Sequence, residues 1–198
     1  MNLIIVSGSP GTGKTTLSKE LLKKYNYSFL SKDLFKEKLF EEYGFESAEE
    51  KKKLDKKAEQ IFFDELKNNV DNNIDTIVDK WLQGISYVKN IISKEHVNLI
   101  FIRLTCLPAI ACERYNKRII AGERPVSFIA LNRYPVDINT VLEKTMTTEA
   151  MKEKAFRRFD RSGIENLIEI DTSNIGNQFD LIFKEITAFV DKNIGIQE

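Results

Sequence analysis

"GSPGTGKTT", residues 8–16, follows the short apolar run Leu3, Ile4, Ile5 and Val6 with only Ser7 between them. Gly8, Gly13, Lys14 and Thr15 fit the spacing G-x-x-x-x-G-K-[ST], and Gly11 adds a glycine inside the loop. A run of four apolar residues predicts a strand buried on both faces, and Leu17, Leu21 and Leu22 behind the loop repeat at helical spacing. In that setting the backbone N–H groups of the loop and of the helix start converge on phosphate oxygens. Glycine lets the backbone turn inward with no Cβ in the way. Ser9, Pro10, Thr12 and Thr16 complete the cradle, Lys14 supplies an ammonium for the terminal phosphates, and the Thr15 hydroxyl suits a magnesium ion that keeps most of its waters.

Working outward, Tyr27 to Leu30 predicts a second strand, which ends at Ser31, Lys32 and Asp33. "LFKEKLFEEY" (34–43) predicts a helix stopped by Gly44. Ser47 and Glu50 have capping-box spacing ahead of a long helix whose apolar face is Leu54, Ala58, Ile61, Phe62 and Leu66, reaching about Val70. Ile74 to Val78 predicts a third strand ending at Asp79, followed by a helix over 85–93 and the strand "VNLIFIRL" (97–104). A helix opens at Pro108, residues 119–136 lack a sustained period and predict a loop or flap, and a helix broken near Thr147 covers 138–161. "LIEID" (167–171) and a helix over 179–190 close the chain. Alternating strands and helices imply an α/β fold, a doubly wound parallel sheet covered on both faces.

The totals bound the partners. At 198 residues, with 42 % apolar and 30 % charged residues, one domain is expected. Thirty Lys plus Arg balance thirty Asp plus Glu, so no global basic field exists to hold a long nucleic acid. Cys106 and Cys112 have neither redox nor zinc spacing and read as buried thiols, and the lone His96 reads as structural. No secretory pattern precedes the first strand and no apolar run is long enough to span a bilayer, so a cytoplasmic protein with no membrane partner is expected, as monomer or homodimer.

The order of these features resembles the small P-loop kinases, the group of adenylate, gluconate and shikimate kinases, polynucleotide 5′-hydroxyl kinases and chloramphenicol phosphotransferase. The resemblance rests on the loop at 8–16, "SKDLFKEKL" (31–39), "TIVDKW" (76–81) and "CERYNKRIIAGER" (112–124). It implies a five-stranded sheet of order 2-3-1-4-5, with ATP and Mg2+ as cofactors. It also implies a helical acceptor cap at about 34–72 and an arginine lid at about 118–136. Asp33 then falls where the alcohol-phosphorylating members place a general base, with an aspartate that caps the following helix as the alternative. Asp79 fits a group acting on magnesium or on the acceptor hydroxyl, with a turn aspartate as the alternative. Trp81 either walls the acceptor pocket or belongs to the core.

All eight arginines lie at or after Arg103. Arg114 and Arg118 sit one helical turn apart and, with Arg124, resemble the lid arginines that close over the triphosphate and stack on adenine, against a plain surface-charge reading. Thr172 and Ser173, in "DTSN" (171–174), match the loop that borders the adenine in these kinases. Nucleoside monophosphate kinases grip the acceptor's phosphate with arginines from the region that is 32–75 here. This chain has none there, which favours an acceptor without phosphate, although Lys36 and Lys38 could substitute. Phe35, Phe40, Tyr43, Phe45, Phe62 and Phe63 offer acceptor or core area. The expected activity is transfer of the γ-phosphoryl group of ATP to a hydroxyl of a small molecule, nucleoside or nucleic-acid end. The alternative is a P-loop ATPase or nucleotide-binding switch.

Overall fold

A computed structural model of the chain describes residues 1–93, 96–139, 147–155 and 158–195. Strands β1 (Asn2–Gly8), β2 (Ser28–Ser31), β3 (Thr76–Asp79), β4 (Asn98–Thr105) and β5 (Asn166–Asp171) form one parallel sheet of order β2-β3-β1-β4-β5. β1 lies in the middle, with Leu3, Ile4, Ile5 and Val6 fully buried, because a central parallel strand is covered by helices on both sides. On one face, Ile4 and Val6 pack with Leu17 and Leu21 of α1 (Lys14–Lys24) and Ile186 and Val190 of α8 (Phe179–Ile194). On the other, Leu3 and Ile5 pack with Phe62, Leu66 and Val70 of α3 (Ala48–Asp71).

The helix ends follow local chemistry. Ser47 caps α3, its hydroxyl accepting from Glu50 N at 3.1 Å, while the Glu50 carboxylate accepts from Glu46 N at 2.8 Å, one residue before the cap itself. α2 (Lys32–Tyr43) starts two residues before the predicted Leu34 and ends at Gly44, whose φ of 62° favours glycine. The helix expected over 85–93 is only one turn, α4 (Lys89–Ile92). Gly84 lies in a bend, at φ 129°, packed so closely on the Asp160 carbonyl that a Cβ would sit 2.7 Å from it, and Asp160 N donates to Gln83 O.

α5 (Pro108–Ile120) follows β4 and leads into the segment expected as a flap, where one turn, α6 (Val126–Ile129), forms. That segment is tied across the molecule to the α2–α3 connection. Phe45 and Tyr134 form an antiparallel bridge, and the Lys51 ammonium donates to the carbonyls of Phe128, at 3.1 Å, and Ala130. Phe40, Phe45, Ile119 and Ile129 make the small apolar core beneath this junction. Of the helix expected over 138–161, α7 (Thr148–Ala155) is formed and residues 158–161 are not helical. Residues 140–146 and 156–157 lie outside the described part, Arg157 among them. Cys106 and Cys112 are both buried, and His96 Nε2 lies 3.1 Å from Val70 O. Among the described residues no helix is long and apolar enough to cross a membrane.

Candidate active site

The glycine loop joins β1 to α1 at the C-terminal edge of the sheet, where the strand order reverses. Gly13, at φ 91°, is the N-cap of α1, and Thr12 Oγ1 donates to Ser9 O at 2.8 Å to close the turn. Lys14 Nζ donates to Ser9 O at 3.0 Å and so lies folded over the loop. Ser7 Oγ donates to Leu82 O and accepts from Leu82 N, both at 2.8 Å, which fixes the chain leaving β3 against the loop. Asp79 at the end of β3 is thereby brought to α1, where its Oδ2 accepts from Thr15 Oγ1 at 2.7 Å.

Lys14, Thr15, Asp33, Asp79, Trp81, Arg118 and Arg124 all line one cavity of about 330 Å³, with Pro10, Gly11, Gly13 and Thr16 on its loop side. Sequence spacing alone did not indicate three further members, Lys32, Glu59 and Lys80. Lys80 Nζ is 2.7 Å from Glu59 and Lys32 Nζ 3.0 Å from Asp55, so the carboxylates of α3 hold these ammonium groups beside the glycine loop. Burial lowers the Lys14 pKa below the ordinary lysine value, opposed by Asp79 and Asp33 and reinforced by Arg124 and Arg118. Burial raises the Asp79 carboxyl, opposed by Lys14 and by the Thr15 hydroxyl. Burial is the largest cause of both shifts, and each of the two charges partly offsets the other's.

Asp33 is in the first turn of α2 and not its cap, a position held by Ser31. Its carboxylate is exposed at the junction of this cavity with a second, of about 500 Å³. Thr15, Arg118 and Arg124 border both. The Arg124 guanidinium lies over the rings of Tyr115 (4.8 Å) and Phe128 (5.1 Å), and its buried Nε has no hydrogen-bond partner among the described residues. Arg118 is exposed and 3.8 Å from Glu123.

Lys36 is not brought into either cavity. Its Nζ is 2.9 Å from Asp55 and lies over Phe40 and Phe128, because α3 presents a carboxylate exactly one side chain away. The aromatic residues of 35–63 also line neither cavity, and Phe40, Phe45 and Phe62 are core. Phe29, Phe128 and Tyr134 line the second cavity instead.

A third, apolar cavity of about 180 Å³ opens on the opposite side of the loop, between Thr12, Gly13 and Thr16 and the residues Arg114, Thr172, Phe179 and Phe183. Thr172 is buried, its hydroxyl bonded to Thr12 O (3.0 Å) and Thr105 O (2.9 Å), so it braces the glycine loop. Ser173 accepts from Leu107 N at 2.8 Å and does not line the cavity, while its carbonyl accepts from Arg114 at 3.1 Å.

The strand order and the loop at the switch point define a P-loop fold of the small-kinase type. A family model described as an AAA domain matches residues 4–124, and the chain belongs to that family. A candidate kinase from Chloroflexus aurantiacus J-10-fl shares the fold at TM-score 0.70 and 23 % identity over 95 % of this chain and 97 % of its own. A gluconokinase from Sinorhizobium meliloti 1021 does so at TM-score 0.61 and 14 % identity, over 100 % and 97 %. A sugar kinase from Janibacter sp. HTCC2649 aligns at TM-score 0.55 and 12 % identity, over 96 % and 95 %. No curated protein sequence matches this one significantly.

Proposed function

We propose that the protein transfers the γ-phosphoryl group of ATP to a hydroxyl of an organic acceptor. The observation that carries this reading is the position of Asp33, whose carboxylate borders both the cavity of the glycine loop and the larger one beside it. A carboxylate there meets a hydroxyl entering from the second cavity and a terminal phosphate held in the first.

In this reading the loop N–H groups and Lys14 hold the β- and γ-phosphates, and the apolar cavity takes the base against Arg114, Phe179 and Phe183. The Thr15 hydroxyl and Asp79 carboxylate are hard oxygen donors at the phosphate end, a set that fits magnesium. When bound there, magnesium would neutralise charge on the phosphates. The acceptor oxygen bonds to the γ-phosphorus as the bond to the bridging oxygen of ADP breaks, and the hydroxyl proton goes to Asp33. Arg118 and Arg124 stabilise charge on the transferred group. The segment 118–136 serves as a lid and residues 34–72 as an acceptor cap, joined to each other through Lys51 and the Phe45–Tyr134 bridge.

Incubation with γ-labelled ATP and a panel of hydroxyl compounds tests the reading, with hydrolysis in the absence of acceptor as the control. Label should appear in an acceptor, and Asp33→Asn should cut transfer by about 10²- to 10⁴-fold while leaving ATP affinity nearly intact. Unchanged transfer in Asp33→Asn removes the base assignment. Hydrolysis with no acceptor labelled favours the ATPase or switch.

A further inference from the structure

We infer that Lys51 of α3 is a positioning residue for the phosphate end of the site: it holds the turn of α6 by two main-chain carbonyls and, through the Phe128 ring, sets the Arg124 guanidinium at the cavity of the glycine loop. This rests on the nucleotide half of the reading above. Arg124 lines both large cavities, and its guanidinium lies over the rings of Tyr115 and Phe128, at 4.8 and 5.1 Å. Its buried Nε has no hydrogen-bond partner among the described residues, so the two rings are what supports it there. Tyr115 belongs to α5, a helix of 13 residues, whereas Phe128 belongs to α6, which has only 4. A single turn does not hold its shape in water by its own hydrogen bonds. From outside the turn, the Lys51 ammonium donates to Phe128 O at 3.1 Å and to Ala130 O, while Ile129 and Ala130 are buried in the small core.

The surroundings of Lys51 oppose an ammonium. It is half-buried, with its Nζ over the rings of Phe40 (5.7 Å) and Phe45 (5.3 Å). Burial, then Lys36 and Arg124, push it down to about 8, against the pull of Asp55. An apolar side chain would pack with Phe40, Phe45 and Ile129 free of that repulsion, but could not donate to two carbonyls. Nor does the rest of the segment depend on this lysine. Farther along, Phe45 and Tyr134 exchange two main-chain hydrogen bonds, at 3.0 and 2.8 Å, and Arg133 lies 3.2 Å from Glu46. Loss of the ammonium therefore loosens the turn that carries Phe128 and leaves the bridge beyond it standing.

The test uses the full chain with magnesium and either ADP or a non-hydrolysable ATP analogue. An arginine on the γ-phosphate favours the analogue, so the ratio of the ADP Kd to the analogue Kd reads its placement. Lys51→Met should lower that ratio by about tenfold, which corresponds to about 1.4 kcal/mol. Arg124→Ala should lower it at least as far, and the double variant no further than Arg124→Ala, because both losses pass through one side chain. Lys51→Arg, whose guanidinium can donate to both carbonyls, should restore the ratio. The Arg124 Nε–H resonance, displaced by the two rings, should move toward that of a free arginine in Lys51→Met and return in Lys51→Arg. Phe128→Leu removes the ring and keeps Lys51; it should lower the ratio as well, and it serves where Lys51→Met does not fold. Additive losses in the double variant, an unchanged ratio in Phe128→Leu, or an Arg124 resonance that Lys51→Met leaves unmoved overturn the inference. If the unaltered protein binds neither nucleotide, the phosphotransferase reading fails, and the resonance alone then decides the inference.

Discussion

Two glycines of the same loop, Gly11 and Gly13, should fail in opposite ways when a methyl group is added. Both have positive φ, 82° and 91°, so alanine at either costs about 1–2 kcal/mol of backbone strain. At Gly11 the new Cβ would stand 2.2 Å from the Ala111 carbonyl oxygen and 2.8 and 2.9 Å from that residue's C and Cα. Those atoms belong to α5, whose Ala111 N is bonded to Leu107 O at 2.9 Å and whose Ala111 and Cys112 are packed against Cys106 and Met151. Backbone in a packed helix cannot step aside, so an overpacking cost of about 1–3 kcal/mol adds to the strain. Gly11→Ala should therefore lose about 2–5 kcal/mol, lowering Tm by roughly 5–15 °C at this chain length. At Gly13 nothing lies within 4 Å, and the position borders both the phosphate and the apolar cavity. Gly13→Ala should keep all but about 1–2 kcal/mol of stability, yet lose ATP affinity because its methyl occupies the nucleotide's path. Urea or thermal unfolding paired with ATP titration reads both. Equal stability losses in the two variants, or full ATP affinity in Gly13→Ala, would refute the argument.

Two further substitutions probe the supports of the site. Thr172→Val keeps the shape but removes the hydroxyl that bonds Thr12 O and Thr105 O; it should cost about 1–3 kcal/mol, weaken ATP binding and raise amide exchange in the loop. Unaltered exchange at residues 11–13 would count against Thr172 as a brace. Lys51 is pushed down to about 8 from 10.5 by burial and by Lys36, so its folded pKa lies below its unfolded one. The unfolded chain then holds a proton that the fold releases, and stability rises with pH between about 8 and 10.5. Because the side chain is half-buried and water screens it, the gain is about 1 kcal/mol. Lys51→Met should lack that rise in the difference between unfolding curves at pH 7.5 and 10, and an identical rise in both proteins would dismiss the assignment.

The nucleotide half of the site was legible because its chemistry is local. A strand, a glycine loop and a helix start lie within 23 consecutive residues, Asn2 to Lys24, and the loop's geometry is its own. Strands were legible where the chain is buried on both sides, as in β1 and β4, and less so at β3, whose formed part is the four residues from Thr76. The second cavity was not legible in the same way. Aromatic residues at 35–63 offered themselves for a pocket, but α2 and α3 spend Phe40, Phe45 and Phe62 on core packing, while the rings that reach the second cavity come from β2 and from residues 128 and 134. That exchange depends on the Phe45–Tyr134 bridge and on Lys51 reaching Phe128, contacts 77 or more residues apart in the chain. No window of sequence contains both partners.

The division of cations between the two halves of the chain has a structural reason. Three lysines of the first half near the site, Lys32, Lys36 and Lys80, each face a carboxylate of α3, Asp55 or Glu59. An ammonium is a compact charge that one carboxylate can hold, so these lysines are spent on fastening α2 and the end of β3 to α3. Arg118 and Arg124 meet no such carboxylate at close range: the one pair, Arg118 with Glu123, is 3.8 Å and exposed, and Arg124 is supported by aromatic faces that leave its donors available. The absence of arginine from 32–75 thus goes with lysines, Lys32 and Lys36, that the α3 carboxylate Asp55 already holds.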